Sequence, residues 1–100
     1  MRRVVVTGMG AITPLAADVE TSWARLLAGR SGIRRLPDEM VESLPAKIGG
    51  TVPSLQEDPE AGFDPNAFLA PKDQRKVDRF ILFALAAAEE AIAQAGWKPA

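Results

Sequence analysis

The sequence of 100 residues contains neither cysteine nor histidine. Without cysteine it can form no disulfide, no thiolate metal site and no cysteine nucleophile. Without histidine it lacks the commonest general base and the commonest metal ligand. Because no cluster of other metal ligands occurs in the sequence either, we expect that the chain binds no metal.

An excess of charge of either sign is also missing, since 12 Lys and Arg residues balance 13 Asp and Glu residues for a net charge of −1. There is therefore no basic excess to attract nucleic acid and no acidic tail. The apolar run after Arg2 and Arg3 is too short for a secretory signal, and no apolar run reaches the roughly 20 residues that cross a bilayer. With 47% hydrophobic residues, the composition is that of one soluble globular domain, and we expect a cytoplasmic protein.

The strongest signal for helix covers residues 72–95, which neither glycine nor proline interrupts. These residues predict either one helix or a short helix that leads into a long one, with Pro71 at the first position. Gly96, Trp97 and Pro99 together predict the end of the helix.

Within this helical part, the stretch from Phe80 to Ala88 has no polar residue, whereas a helix on a protein surface keeps a polar face. We therefore predict that the helix is buried on most sides. Glu89, Glu90 and Gln94 would give only its last turns a side that faces solvent. The rest of the sequence offers too few elements to surround such a helix, so we interpret these residues as the start of a larger α/β domain.

Residues 3–8 contain a continuous β-branched run, which predicts a strand covered on both faces in a parallel or mixed sheet. Gly8 and Gly10 predict a tight turn out of that strand. The other interpretation is a dinucleotide-binding loop, but Thr13 stands where its third glycine belongs and Pro14 follows. We therefore expect no nucleotide cofactor and no cofactor-binding residue.

Asp18 predicts the N-cap of a helix over residues 18–28, and Gly29 predicts its end. Apolar residues recur every three or four positions along one side of this helix. They are Val19, Trp23, Leu26 and Leu27. We expect an amphipathic helix that packs on the rest of the protein through this one side.

Residues 32–36 predict a short extended piece, and residues 37–71 predict an irregular segment rich in proline and acidic residues. Inside that segment, residues 46–52 predict one short strand. The Asp-Pro pair that opens residues 64–69 predicts a single helical turn. The carboxylates of the segment are scattered, so we interpret them as solvating charges and not as a general acid and base.

Four cations are spaced i, i+3, i+4 and i+7, which would place them on one face of a helix. They are Lys72, Arg75, Lys76 and Arg79. Asp73 and Asp78 lie among them, so four positive and two negative charges leave a local balance of +2. Two interpretations stay open: a solvated, ion-paired start of a helix, or a surface that attracts an acidic partner.

Segments along the whole chain resemble those of beta-ketoacyl-[acyl-carrier-protein] synthases, and within that family those of the synthase II subfamily. Residues 3–14 resemble the family's opening strand, and residues 22–33 resemble its first helix and the exit from it. Residues 46–50 are similar to the short strand that follows. Residues 72–97 are similar to a basic helix followed by a buried helix. Any one motif is weak, but the four segments in the right order make the resemblance specific.

The resemblance implies a thiolase-like αβαβα fold with five alternating layers of helix and sheet, of which residues 1–100 would form the N-terminal part. It also implies an acyltransferase that elongates acyl chains in fatty acid biosynthesis by decarboxylative condensation. That reaction uses a cysteine nucleophile and two histidines, so no catalytic residue is carried over and we expect these residues to be inactive alone. Ala16, where the family usually has glycine, and the loop over residues 52–64 depart from the family's pattern.

The resemblance further implies partners. Members of the family present basic residues to the acidic acyl carrier protein, and the matching positions here are Lys72, Arg75 and Lys76. It implies a homodimer of the complete protein, with neither nucleic acid nor a membrane span. Two alternatives stay open: a ketosynthase or chain-length-factor segment of a polyketide synthase, and a stand-alone module that binds a carrier protein.

Overall fold

The computed structural model of the protein describes residues 1–98, which form a mixture of helices and short strands. The helices are α1 (Val19–Leu27), α2 (Asp38–Val41), α3 (Pro71–Gln74) and α4 (Arg79–Ala95). The strands are β1 (Ile33–Arg35) and β2 (Ile48–Gly50), and a 3-10 turn covers Pro65–Ala67. Pro99, which the sequence predicts as a helix breaker, lies outside the described residues.

Helix α1 begins and ends where the sequence predicts. The extended residue Asp18 accepts a 2.6 Å hydrogen bond from the backbone N–H of Thr21. Gly29 has a φ of 77°, a left-handed conformation that glycine adopts without steric cost. The apolar side of the helix is open, however, since Trp23 is 59% exposed. The packing expected for this side is not made by residues 1–98.

No strand forms at residues 3–8, contrary to the prediction from their β-branched run. A strand exists only where its backbone N–H and C=O groups pair with a neighbouring strand. The backbone of this segment pairs with no other backbone group within residues 1–98. Its side chains are open as well, since Val4 is 96% and Val6 is 80% exposed. The segment is therefore unpaired on its edges, and residues 3–7 are uncovered on their faces.

The sheet found among the described residues is an antiparallel pair in which Ile33 lies opposite Gly50 and Arg35 lies opposite Ile48. Strands β1 and β2 fall within the extended piece and the short strand that the sequence predicts. Helix α2 was not predicted, because the proline and acidic residues of residues 37–71 indicate an irregular segment. It follows Pro37, whose fixed φ suits the start of a helix, and it buries Val41.

Helix α4 carries the core of the described residues. Leu82 and Ala86 are its buried residues, and they pack with Phe63 in one apolar cluster. The other sides of the helix are open, with Phe80 68% and Leu85 45% exposed. The predicted burial on most sides is therefore not met within residues 1–98, because only loop segments are available to cover the helix and they cover one stripe of it.

The described chain is less compact than a complete domain of its length. Its radius of gyration is 16.1 Å, against about 13 Å for a compact domain of 100 residues. The excess agrees with the open apolar surfaces on α1, on α4 and on residues 3–8. It supports the expectation that these residues are too few to enclose α4.

Candidate functional site

The predicted docking residues lie at a bend between α3 and α4. Lys72 belongs to α3, and Arg75 is the C-cap of that helix. Lys76 follows in the bend, and Asp78 is the N-cap of α4. Residues 71–79 are hereafter named the basic turn.

The basic turn is not one continuous helix, so its four cations do not share a single helix face as their spacing predicts. Helix α3 ends at Gln74 and α4 begins at Arg79, which confirms the interpretation of a short helix that leads into a long one. In the bend, Lys76 N donates to Asp73 O at 3.1 Å, and Val77 N donates to Gln74 O at 3.4 Å. These i to i+3 bonds close a tighter turn than an α-helix allows. Val77 packs against the apolar cluster, which leaves the cations outside.

Gln74 fixes α3 to the turn that precedes it. Its Nε2 donates to Asn66 Oδ1 at 2.8 Å and to Leu69 O at 2.7 Å. Nearby, the ring of Phe68 stacks on that of Phe63, with 5.7 Å between the centroids. A helix of four residues has little stability of its own, so these contacts hold the basic turn in place.

The side chains of the predicted docking residues make few contacts within residues 1–98. Lys72, Arg75 and Lys76 are all exposed. Within residues 1–98, Lys72 and Arg75 form neither an ion pair nor a side-chain hydrogen bond, and Lys76 Nζ lies 3.6 Å from Asp73 Oδ1. The two side chains of that pair are 75% and 39% exposed. Since exposed ion pairs contribute little net stability, Lys76 can exchange Asp73 for a carboxylate of a partner.

Arg79, the fourth cation, makes contacts inside the fold. Its guanidinium carbon lies 5.1 Å from the centroid of the Phe83 ring, which is a cation–π distance. Its Nη2 donates to Val52 O at 3.4 Å. Arg79 therefore joins α4 to the segment at residues 37–71 and differs from the three cations that precede it.

A second charged contact, which no pattern in the sequence predicts, joins α1 to the acidic segment. Arg25 Nη1 donates to Leu15 O at 2.7 Å and to Asp58 Oδ2. The side chains of Arg25 and Asp58 are only 11% and 17% exposed. The hydrogen bond between them lowers the pKa of Asp58 and raises the pKa of Arg25. Asp58 is therefore a structural partner, and the interpretation of these carboxylates as solvating charges is wrong at this position.

Gly8, at the end of residues 3–8, and Gly10 allow the chain to pack closely on α4. Neither Gly8 nor Gly10 has a positive φ, so the predicted turn is not what requires them. A Cβ atom at Gly8 would clash with the carbonyl oxygen of Ala91, and one at Gly10 would clash with that of Ala87. The backbone of this loop thus lies directly on the backbone of the helix.

Polar side chains of α4 hold the same loop. Glu90 accepts hydrogen bonds of 3.0 Å from Ala11 N through Oε1 and from Val19 N through Oε2. Gln94 Oε1 accepts one of 2.7 Å from Met9 N. Gln94 is exposed and Glu90 is half-buried, so the last turns of α4 have the solvent-facing side that the sequence predicts. The two side chains also satisfy backbone donors that no strand or helix pairs, which the sequence does not predict. These donors lie more than 70 residues away in the sequence, so no local pattern marks the contact.

An open apolar pocket of about 400 Å³ lies between α1 and residues 11–15. Trp23, Leu26 and Ile33 are among the residues that line it, and no titratable side chain does. The pocket therefore offers no group for acid–base chemistry.

Among residues 1–98, no helix combines the length and the apolar character that crossing a membrane requires.

Known proteins share the pattern of these 100 residues. The model of the "Beta-ketoacyl synthase, N-terminal domain" family matches residues 1–100. Over 99 residues the chain is 48% identical to 3-oxoacyl-[acyl-carrier-protein] synthase 2 of Rhizobium meliloti (strain 1021), which covers 99% of this chain and 23% of the relative. It is 39% identical over 95 residues to the synthase 2 of Vibrio cholerae, covering 95% of this chain and 21% of the relative. It is 37% identical over 95 residues to the chloroplastic synthase II of Arabidopsis thaliana, covering 95% and 16%. The chain thus spans less than a quarter of the length of these relatives.

Proposed function

The chain belongs to the beta-ketoacyl synthase family, and on that premise we propose that it is the N-terminal part of a 3-oxoacyl-[acyl-carrier-protein] synthase II. The complete protein elongates acyl chains in fatty acid biosynthesis. It joins a malonyl unit on the carrier protein to an acyl group held by the enzyme, and carbon dioxide leaves. The observation that carries this proposal is the 48% identity over 99 residues to a relative of that name. The polyketide alternative is not favoured, since all three relatives are named 3-oxoacyl-[acyl-carrier-protein] synthases.

The proposed chemistry needs groups that this sequence does not contain. Decarboxylative condensation requires an activated thiolate to hold the acyl group and hydrogen-bond donors for the thioester oxygen. The family uses a cysteine and two histidines, and residues 1–100 have neither residue type. We infer that the catalytic groups lie elsewhere in the complete protein and that these residues are inactive alone.

A thiolase-like αβαβα fold accounts for the open apolar surfaces. Residues 3–8 would pair as a strand inside a sheet covered on both faces, and α4 would lie between two sheets. The exposure of Val5 (74%) and Phe80 (68%) supports this arrangement. Burying one such side chain contributes about 1.5–3 kcal/mol, so covering them is strongly favourable. In this proposal residues 1–100 are one portion of the synthase N-terminal domain, and the complete protein is a homodimer.

The basic turn is the proposed docking site for the acyl carrier protein. Lys72, Arg75 and Lys76 are exposed, and two of them have no partner within residues 1–98. Their cations match an acidic partner, and the contacts of Gln74 hold the turn that carries them. Cations arranged in this way raise the association rate and fix the orientation of an acidic protein.

The complete protein tests the proposal directly. We expect it to condense malonyl-carrier protein with acyl-carrier protein and to release carbon dioxide. The triple variant K72E/R75E/K76E should raise the KM for carrier-bound substrates about tenfold or more. Its kcat should change less, because the docking residues do not touch the reacting atoms.

A control variant carries the same change of charge at exposed cations outside the basic turn. R2E/R30E/K98E fits this purpose, since all three residues are exposed. It should leave the KM near that of the wild type. A complete protein that releases no carbon dioxide from these substrates contradicts the proposed function, and an unchanged KM in the first variant contradicts the docking site.

A further inference from the structure

We propose that a groove beside the basic turn, lined by three arginines, extends the docking surface and takes an acidic helix of the acyl carrier protein. The arginines are Arg34 and Arg35 of β1 and Arg79 of α4. This inference rests on the proposed function, because it names a further part of the same docking surface.

The groove has a volume of about 560 Å³, and its wall combines charged and apolar groups. Leu36 and Met40 supply apolar surface in the groove that the arginines line, and Met40 is 57% exposed. An amphipathic helix presents both kinds of group along one side, carboxylates next to apolar side chains. A flexible methionine adapts its shape to such a surface.

Two of the arginines are held by neighbouring groups, inside the groove or next to it, and keep donors for a partner. Arg34 Nη2 donates to Pro14 O at 3.4 Å, and its Nη1 lies 3.7 Å from Glu57 Oε2. Arg35 Nη2 donates to Asp38 Oδ1 at 3.0 Å. A guanidinium has five N–H donors, so these contacts position each group without using all of its donors. A carboxylate of a partner can then bind to a cation that is already in place.

Arg79 connects the groove to the basic turn. It lines the groove while its contacts with Val52 O and the Phe83 ring hold it. It follows Lys76 by three residues, so the two Cα atoms lie within about 11 Å of each other. One helix of a partner can therefore reach both the basic turn and the groove.

The charges of the groove favour an acidic occupant. Three arginines face two carboxylates, those of Asp38 and Glu57, which leaves a balance of +1. Both carboxylates pair with arginines of the groove itself. A surface with this balance next to the cations of the basic turn extends one positive region, and such a region steers an acidic protein toward it.

The test measures the Kd of the complete protein for acyl carrier protein at low ionic strength. We expect the variant R34E/R35E to weaken binding about fivefold and to reduce the dependence of binding on salt. R2E/R30E, with the same change of charge at exposed residues outside the groove, should bind like the wild type. The variant R34Q/R35Q removes the charges but keeps N–H donors for the groove, and we expect roughly half of the effect on a logarithmic scale.

The outcomes separate this inference from the proposed function. If K72E/R75E/K76E weakens binding while R34E/R35E and R34Q/R35Q bind like the wild type, the groove does not bind the carrier protein. The basic turn is then still supported as the docking site. If none of these variants weakens binding, the docking site itself fails. If R34E/R35E does not fold, the glutamine variant decides, and wild-type affinity in that variant overturns the groove.

Discussion

Arg25 and Asp58 join two parts of the chain that are 33 residues apart. The carboxylate of Asp58 also accepts hydrogen bonds of 3.2 Å from Glu60 N and from Ala61 N. Hydrogen bonds to a carboxylate favour its charged form. At the scale of single residues, this contact makes the stability of the fold depend on the ionisation of Asp58.

The lowered pKa of Asp58 predicts that its contribution to stability is lost in acid. The pKa in the folded protein lies below the unfolded value of about 3.9. The contribution is therefore complete above that unfolded value and disappears as the pH falls through the folded pKa. We expect D58N to lower the thermal midpoint of the complete protein at pH 7, and we expect this difference from the wild type to shrink below pH 4. Thermal unfolding of both proteins across this pH range measures it.

The control for this prediction is D38N, which removes an ion pair whose aspartate side chain is 85% exposed. Exposed pairs contribute little to stability, so D38N should follow the wild type at every pH. A constant difference between D58N and the wild type across the range would contradict the prediction.

Residues whose partners are close in sequence could be predicted, and residues whose partners are distant could not. Asp18 and Asp64 accept hydrogen bonds from backbone groups two or three residues later. Gly96, with a φ of 69°, ends α4 as its position predicts. The contacts of Arg25 and Glu90 arise only when the fold brings distant segments together, and no spacing in the sequence marks them.

At the scale of elements, residues 8–11 and helix α4 form one close contact. Gly8 and Gly10 bring two backbones together, while Glu90 and Gln94 satisfy the donors of the loop. Close packing and hydrogen bonds thus act at the same place. This contact fixes where α4 lies relative to the N-terminal segment.

Gly10→Ala should destabilise the complete protein by about 1–3 kcal/mol, the usual cost of adding an atom to a filled site. The new Cβ would clash with the backbone of Ala87, which cannot move without shifting α4. The midpoint of denaturant unfolding measures the effect. Ala87→Gly should not rescue the variant, since the clash involves backbone atoms. A Gly10→Ala protein as stable as the wild type would contradict this close contact.

The long helices α1 and α4 were easier to predict than the strand expected at residues 3–8, because a helix satisfies its own backbone. The caps and apolar spacing of α1 and the continuous helix formers of α4 are local signals. The strand expected at residues 3–8 needs a neighbour, and residues 1–98 provide none. The sequence did not decide between one helix over residues 72–95 and two helices with a bend between them. Asp78 precedes an apolar run, and aspartate at such a position is typical of the start of a helix.

At the scale of the whole molecule, many large apolar side chains of the described residues are exposed to solvent and do not pack in the core. Leu82 and Ala86 are buried on α4, whereas Phe80 and Leu85 on the same helix are not. The sequence predicted a helix that these residues cannot enclose, and the structure shows that helix with one covered stripe. The mixture of helix and strand could be predicted from local patterns. The proposed layered fold could not be derived from them, because no element within residues 1–98 covers the open sides of α4 or pairs with residues 3–8, and the proposal came from the family resemblance.

The most direct test of the account is the solution behaviour of residues 1–100 expressed alone, measured by sedimentation velocity and thermal unfolding. We predict concentration-dependent association through the open side of α4 and no single cooperative unfolding transition, since apolar surface left in water favours association. A monomer at all concentrations that unfolds in one cooperative transition would contradict the claim that α4 belongs to the interior of a larger protein.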